Sequence, residues 1–139
     1  MLKNYDADQV SISIGGHVVS GYADGEFVTV ARDEDAYSLS VGADGEPTRS
    51  KSNNFAGTIT LVLQQTSDSN DVLAAKAELD ELSNGGLFPV SVKDNSGRAI
   101  YFADAMWVQK KPDAAYGRES GTREWVLRTG NLQHFAGGN

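Results

Sequence analysis

The chain contains no cysteine. That excludes disulfides, thiolate metal sites and cysteine nucleophiles, and it fits a reducing compartment as the place of synthesis. Histidine is nearly absent too. His17 and His134 are the only two, and neither falls in an HxxxH or HExxH spacing, so zinc chemistry has no foothold. Long apolar runs are missing: nothing approaches the roughly 20 residues that cross a bilayer as a helix. The opening MLKNYDADQV lacks the basic-then-apolar order of a secretory signal. The expectation is a soluble chain, made in the cytoplasm and without a membrane anchor.

Positive charge is scarce. Twelve Lys and Arg face nineteen Asp and Glu, for a net charge of −7. The imbalance is local: residues 1–46 hold nine acids against Lys3 and Arg32, whereas residues 47–139 hold ten of each sign. A chain of this kind does not grip nucleic acid, which needs clustered Lys and Arg. The acidic part reads either as a solvated face that aids solubility or as a surface that repels a polyanion.

Catalytic signatures are equally thin. There is no GxSxG elbow. The glycine pairs Gly15-Gly16 and Gly85-Gly86 lack the lysine and following helix of a phosphate loop. Asp33-Glu34-Asp35 and Asp68-Ser69-Asn70-Asp71 are rich in oxygen, but neither has the spaced carboxylates and central glycine of a calcium loop. With 19 acids some pair must lie close, so paired carboxylates carry no information. No enzymatic activity, metal or cofactor is expected.

What is present is strand pattern. A length of 139 residues suits one domain, 1–139. Val10–Ile14 alternates apolar and polar, the period of a half-buried strand, and Gly15-Gly16 permits a tight reversal into His17-Val18-Val19. Further strands are expected at 27–32, 37–41, 57–63, 88–92, 98–102, 105–109, 122–128 and 132–135. Ile59, Leu61 and Leu63 share one face of the strongest, opposite Thr58 and Thr60. ADGE occurs twice, at 23–26 and 43–46, and reads as two similar turns. Only residues about 70–83 predict a helix, with a cap at Ser69-Asn70-Asp71, an apolar stripe of Val72, Ala75, Leu79 and Leu82, and an end at Asn84-Gly85-Gly86. Strands and helices do not alternate, so a parallel doubly wound sheet is disfavoured. The predicted fold is mainly β: an antiparallel sandwich or open barrel with one flanking helix. Trp107 and Trp125 lie inside strands. Each reads as core or as a contact at a subunit boundary, where Trp is enriched.

Between strands 37–41 and 57–63 runs GADGEPTRSKSNN, residues 42–54. Compact domains rarely keep so long a polar segment without a use for it. Three uses fit: a mobile lid, a disordered spacer, or an arm that orders against a neighbour. The lid requires a site, and the sequence shows none.

The run GYADGEFVTVARDEDAYSLSVGADGEPTRSKSNNFAGTITLVLQQTSDSNDVLAAKAELDE resembles the tail tube proteins of contractile-tailed bacteriophages. The segments FPVSVKD, WVQKKPD, YGRESGTREWVL and the terminal FAGGN resemble the same family, so the likeness runs from Tyr5 to Asn139. ADGEPTRSKSNN and GRESGTREW carry most of its weight, because polar and turn positions match along with apolar ones. The resemblance implies a virion structural protein, a subunit that closes into hexameric rings. The rings stack into a hollow tube that conducts DNA during infection. The implied partners are further copies of the chain, the tail sheath, the tape measure and baseplate or initiator proteins. DNA passes through the lumen without specific binding. The segment 42–54 is then the loop that locks subunits together, through Glu46, Arg49, Lys51, Asn53 and Asn54. The open stretch 116–122 is a second contact, through Arg118 and Glu119, and the chain ends reach neighbours as extended termini. Ser38, Ser40, Thr58, Thr60 and Gln64, taken as one face of a long hairpin, are expected to line the lumen. Alternatives are a tube initiator or terminator ring, or a secretion-system tube, of the same fold. More remote is a carbohydrate-binding sandwich using an exposed Trp107 or Trp125.

Overall fold

The computed structural model describes residues 2–138, so the last residue of the FAGGN run, Asn139, lies outside the described residues. After a short 3-10 turn (Ala7–Gln9), ten strands and one α-helix follow in order: β1 (Val10–Ile14), β2 (His17–Val18), β3 (Val28–Arg32), β4 (Tyr37–Val41), β5 (Pro47–Lys51), β6 (Gly57–Gln64), α1 (Ser69–Ser83), β7 (Phe88–Asp94), β8 (Ile100–Lys110), β9 (Thr122–Thr129) and β10 (Gln133–Phe135). Eight strands form one sheet in the order β2-β1-β7-β8-β9-β6-β3, with β10 branching from β8. Its pairings are all antiparallel. Strands β4 and β5 form a separate two-stranded ribbon.

The long sheet folds over on itself because β8 belongs to both layers. Residues 100–102 of β8 pair with both β7 and β10, while residues 106–110 pair with β9. The register slips once on each side, between Phe88 and Val90 and between Val108 and Lys110. Such bulges bend a strand and sharpen its twist. The two strands expected at 98–102 and 105–109 are therefore one bent strand. Their apparent break is a local failure of alternation: Ala103 and Met106 are buried with Asp104 and Ala105 exposed between them. No Gly or Pro stands there to end the strand.

The core lies between the layers. Ile59, Leu61 and Leu63 of β6, Ile12 and Ile14 of β1, Phe88 and Val90 of β7, and Leu127 of β9 are essentially unexposed. Trp125 joins them, 3% exposed, and its indole Nε1–H donates to Asn70 Oδ1 at 2.9 Å. That bond satisfies the only polar atom of a buried ring and ties β9 to the first turn of α1. The carbohydrate-binding alternative thereby loses Trp125. Trp107 is half-buried.

Helix α1 covers the core with a different stripe from the expected one. Ser69, Leu73 and Ala77 are buried, while Leu79 and Leu82 are 46% and 80% exposed. Both stripes satisfy a period of 3.6, so periodicity alone could not choose between them. Size decided it. Ser69 and Ala77 let the helix lie close to the sheet, and the Ser69 hydroxyl meets His17 Nε2 at 2.9 Å and accepts from Ser20 N–H at 3.1 Å. The helix ends as expected: Asn84 takes a left-handed conformation, φ 58°, and its N–H donates to Asp80 O. Gly86 follows because a Cβ there would come within 2.4 Å of Lys76 O. The residue preceding the helix is Asp68, which makes no side-chain cap bond. Ser69 N–H is met instead by Ser67 Oγ at 3.2 Å.

Candidate assembly surface

Every residue from 31 to 51 is exposed. This segment is not the bare loop expected for 42–54. It is an arm: β4 descends, a turn at 42–46 reverses it, and β5 returns in register, Tyr37 opposite Lys51 and Val41 opposite Pro47. Gly42 N–H donates to Glu46 O and Gly45 N–H to Gly42 O, each at 2.9 Å. Gly45 sits at φ 86°, a conformation glycine adopts freely. Asp44 Oδ1 accepts from Glu46 N–H at 3.1 Å, an Asx turn. A signal for β5 was present but invisible to hydropathy. Thr48, Arg49, Ser50 and Lys51 alternate hydroxyl with cation, a period of two without an apolar member. Pro47 is tolerated because it opens an edge strand.

Opposed residues of an antiparallel pair share a face, so the arm has two unlike sides. One carries Tyr37, Leu39, Val41, Pro47, Arg49 and Lys51. The other carries only hydroxyls, from Ser38, Ser40, Thr48 and Ser50. The Arg49 guanidinium lies 4.1 Å from the Tyr37 ring centroid, a cation–π contact that stiffens the first side. Glu46 stands in the turn at the tip.

The root of the arm is fastened to the sheet. Arg32 donates from Nε (3.0 Å) and Nη2 (2.7 Å) to Leu132 O and lies over Phe55. Ser52 Oγ donates to Glu34 Oε2 at 3.0 Å, and Ser52 N–H to Ala36 O at 2.8 Å. Asn54 Oδ1 accepts from Ala56 N–H at 3.1 Å, so this residue turns the chain back into β6. Asn53 beside it is exposed. Across the sheet, Arg128 of β9 grips Asp33 with a two-pronged contact (Nη1–Oδ1 2.7 Å, and Nη2 with Oδ2), and its Nη1 also donates to Thr58 Oγ1 at 3.1 Å. The hydrogen bond from Arg128 holds the Asp33 carboxyl below the usual carboxylate range.

Of the expected contact residues, Glu46, Arg49 and Lys51 share the arm and Asn53 and Asn54 lie at its root. Arg118 and Glu119 are exposed on a separate loop between β8 and β9. That loop is tied to the body by Gln65, whose N–H donates to Gly121 O and whose Oε1 accepts from Gly121 N–H, both at 3.0 Å.

The five residues expected on one hairpin face are divided. Thr58, Thr60 and Gln64 alternate with Ile59, Leu61 and Leu63 and lie on the outer face of β6. Ser38 and Ser40 belong to the arm, because β4 pairs with β5 and not with β6. The mistaken pairing came from missing β5. Residues overlooked on the outer face are those opposite on β9: Arg128 across from Thr58, Val126 from Thr60, and Glu124 from Val62.

The sheet also has open edges. Strand β3 ends the strand order, and at the other end β2 covers only Ser13 and Ile14 of β1. Phe27 O accepts from Val62 N–H, and Asp33 N–H donates to Ala56 O. Alternation therefore turns the backbone groups of Val28, Val30 and Arg32 toward the open side. Open edges pair with other chains unless they are covered. Among the described residues, no group of three His, Asp or Glu is placed to hold a metal ion, and no helix is long and apolar enough to cross a membrane.

An antiparallel sheet folded over one core, with one helix and open edges, is the fold of the tube-associated proteins of phage-like contractile machines. The structure is similar to the anti-feeding prophage cap (AFP tube terminating cap), with a TM-score of 0.60 at 9% identity, covering 97% of this chain and 93% of that one. It is also similar to the sheath/tube terminator, in its extended state, of the extracellular contractile injection system PVC, with a TM-score of 0.55 at 12% identity, covering 97% and 99%. At such identities the fold is what is shared. The sequence goes further: residues 4–137 match the family described as bacteriophage PhiTE tail tube protein, and the chain belongs to that family. It is also 36% identical over 145 aligned positions to structural protein ORF10 of Pseudomonas phage KPP10, covering 99% of this chain and 84% of that protein. Family and relative are structural phage proteins, so the chain is a non-enzymatic component of the virion tail.

Proposed function

We propose that the chain is the repeating subunit of a hollow tail tube. Copies close edge to edge into hexameric rings, the rings stack, and DNA passes through the bore. The single observation that carries this is the arm. Twenty-one successive residues, 31–51, form ordered structure with no buried side chain, which a chain working alone has no use for. Open strand edges supply the second half of the argument: in a closed ring each edge finds a partner and none is left free. Glu46, Arg49, Lys51 and Asn53 then meet a neighbouring copy, as do Arg118 and Glu119, while Asn54 shapes the root. Sheath, tape measure and baseplate or initiator are the further partners of such a tube.

In this reading the outer face of β6 lines the bore. Thr58, Thr60 and Gln64 offer a hydrated neutral surface, and the one guanidinium among them, Arg128, is neutralised by Asp33. A wall whose guanidinium is paired holds a polyanion less than one with that cation free. Ser38 and Ser40 join the wall only if the hydroxyl side of the arm faces inward.

The likeness to terminator proteins favours a second reading, a ring that ends a tube rather than extending it. Negative-stain electron microscopy of the purified protein, with and without an initiator complex, separates the two. Tubes with a central hole support the subunit. Single rings that never stack support the terminator. Monomers at every concentration and in every buffer overturn both.

A further inference from the structure

Within the chain, the apolar and basic side of the arm touches nothing that would cover it. Leu39, at its middle, is 70% exposed. A complementary surface exists elsewhere on the same molecule. Where the folded sheet fails to close, a groove of about 230 Å³ runs beside β3, floored by Val10, Val28, Val30, Val92 and Tyr101. It continues past Tyr5 to Phe27 and Glu26. Val28 and Val30 point to the core side of β3, opposite Leu61 and Ile59, yet stay half-exposed because no strand lies beyond them.

The groove is acidic as well as apolar. Asp94, only 6% exposed, lines it, with Oδ1 held by the Ser96 N–H and hydroxyl. Glu26 stands at its far end. Residues 1–30, which supply β1, the start of β3 and the segment between, hold four acids against Lys3. The arm side offers the converse: Tyr37, Leu39, Val41 and Pro47 beside Arg49 and Lys51. The open edge of β3 adds backbone groups of Val28, Val30 and Arg32, which an incoming strand can meet.

We propose that this groove is the receptor for the arm of a second copy, with Leu39 as the apolar anchor beside Val28 and Val30 and with Arg49 and Lys51 against the acids. The proposal rests on the assembly reading and specifies which surface receives the arm. A chain's own groove is not occupied by its own arm, since Leu39 is exposed; docking is between copies. The charge pattern sets register, because a shifted arm brings the acids of its tip, Asp44 and Glu46, against the acids of the groove.

The absence of cysteine gives a clean test. Two full-length variants, Leu39→Cys and Val28→Cys, are made with tags of different mass, mixed, assembled and oxidised. The expected result is a cross-linked band of intermediate mass, one chain of each kind. A parallel mixture of Leu39→Cys with Leu82→Cys, on the exposed side of α1, is expected to give none. A band in the second mixture instead of the first overturns the proposal. So does a band in neither while microscopy shows rings or tubes; the tube reading then survives without this contact. No assembly of any kind, wild type included, removes both. A second measurement needs no cysteine: Arg49→Glu with Lys51→Glu should raise the critical concentration for assembly about tenfold or more. An unchanged value overturns the proposal.

Discussion

Strands β5 and β6 are separated by five residues, and both alternate with a period of two. In β6 the alternation sets Ile59, Leu61 and Leu63 against Thr58, Thr60 and Gln64, and the strand sits at the centre of a layer with its apolar side unexposed. In β5 it sets Arg49 and Lys51 against Thr48 and Ser50, and the strand lies wholly in solvent. Backbone geometry is the same; the contrast in hydropathy is not. A strand with an apolar side can be completed by its own chain. A two-stranded ribbon whose apolar side packs on nothing is marginal in water, and this ribbon persists on a glycine turn, a cation–π contact and a well-tied root. The core of the body is completed by its own chain, whereas the arm's apolar residues are left exposed.

Substitutions can test that division, and the largest effect belongs to the body. Leu61→Ala, at an unexposed position, should cost about 2–5 kcal/mol in urea unfolding. Trp125→Phe keeps most of the ring but removes the donor to Asn70, and should cost about 1–2 kcal/mol. Leu39→Ser, in the arm, should change monomer stability by no more than about 0.5 kcal/mol while sharply weakening assembly measured by sedimentation. A large loss of stability there would mean that the arm packs on its own body. The smallest effect lies at the junction. The Asp33 carboxyl is held below its ordinary range by Arg128, so its contribution is present above the unfolded carboxylate value and lost as pH falls through the folded one. Asp33→Asn should therefore lower the melting temperature slightly at neutral pH and leave it unchanged at strongly acid pH, which flattens the acid limb; the effect is small because the pair is open to solvent. In assembled tubes the same variant leaves Arg128 without its carboxylate, and DNA should then be retained in a salt-dependent way.

The sequence disclosed the parts where local chemistry and tertiary environment agree. The ends of β1 and β4 fall where alternation placed them, and α1 stops where Asn84-Gly85-Gly86 predicts. The failures share a cause: each needed knowledge of what lay opposite. Helix α1 had two acceptable stripes, and only the close approach of the sheet at Ser69 and Ala77 selected between them. β8 looked like two strands because its bulge imitates a break. β5 was overlooked because its alternation is written in hydroxyls and cations, and that omission paired β4 with the wrong neighbour, so Ser38 and Ser40 were grouped with Thr58. The arm was legible only as an unexplained polar stretch. The tube class came from resemblance over ADGEPTRSKSNN and GRESGTREW, not from composition or period. The groove beside β3 had no sequence signal, since Val10, Val28, Val92 and Tyr101 meet only after the sheet has folded.

The bend in β8 has a mechanical consequence. One continuous backbone serves both halves of the sheet, so a pull on the β6 side reaches the β1 side along covalent bonds and ladder hydrogen bonds, without relying on the grip of interleaved side chains. A sheet made this way resists being peeled apart layer from layer, and strain imposed at one rim arrives at the other as a twist of the whole ribbon.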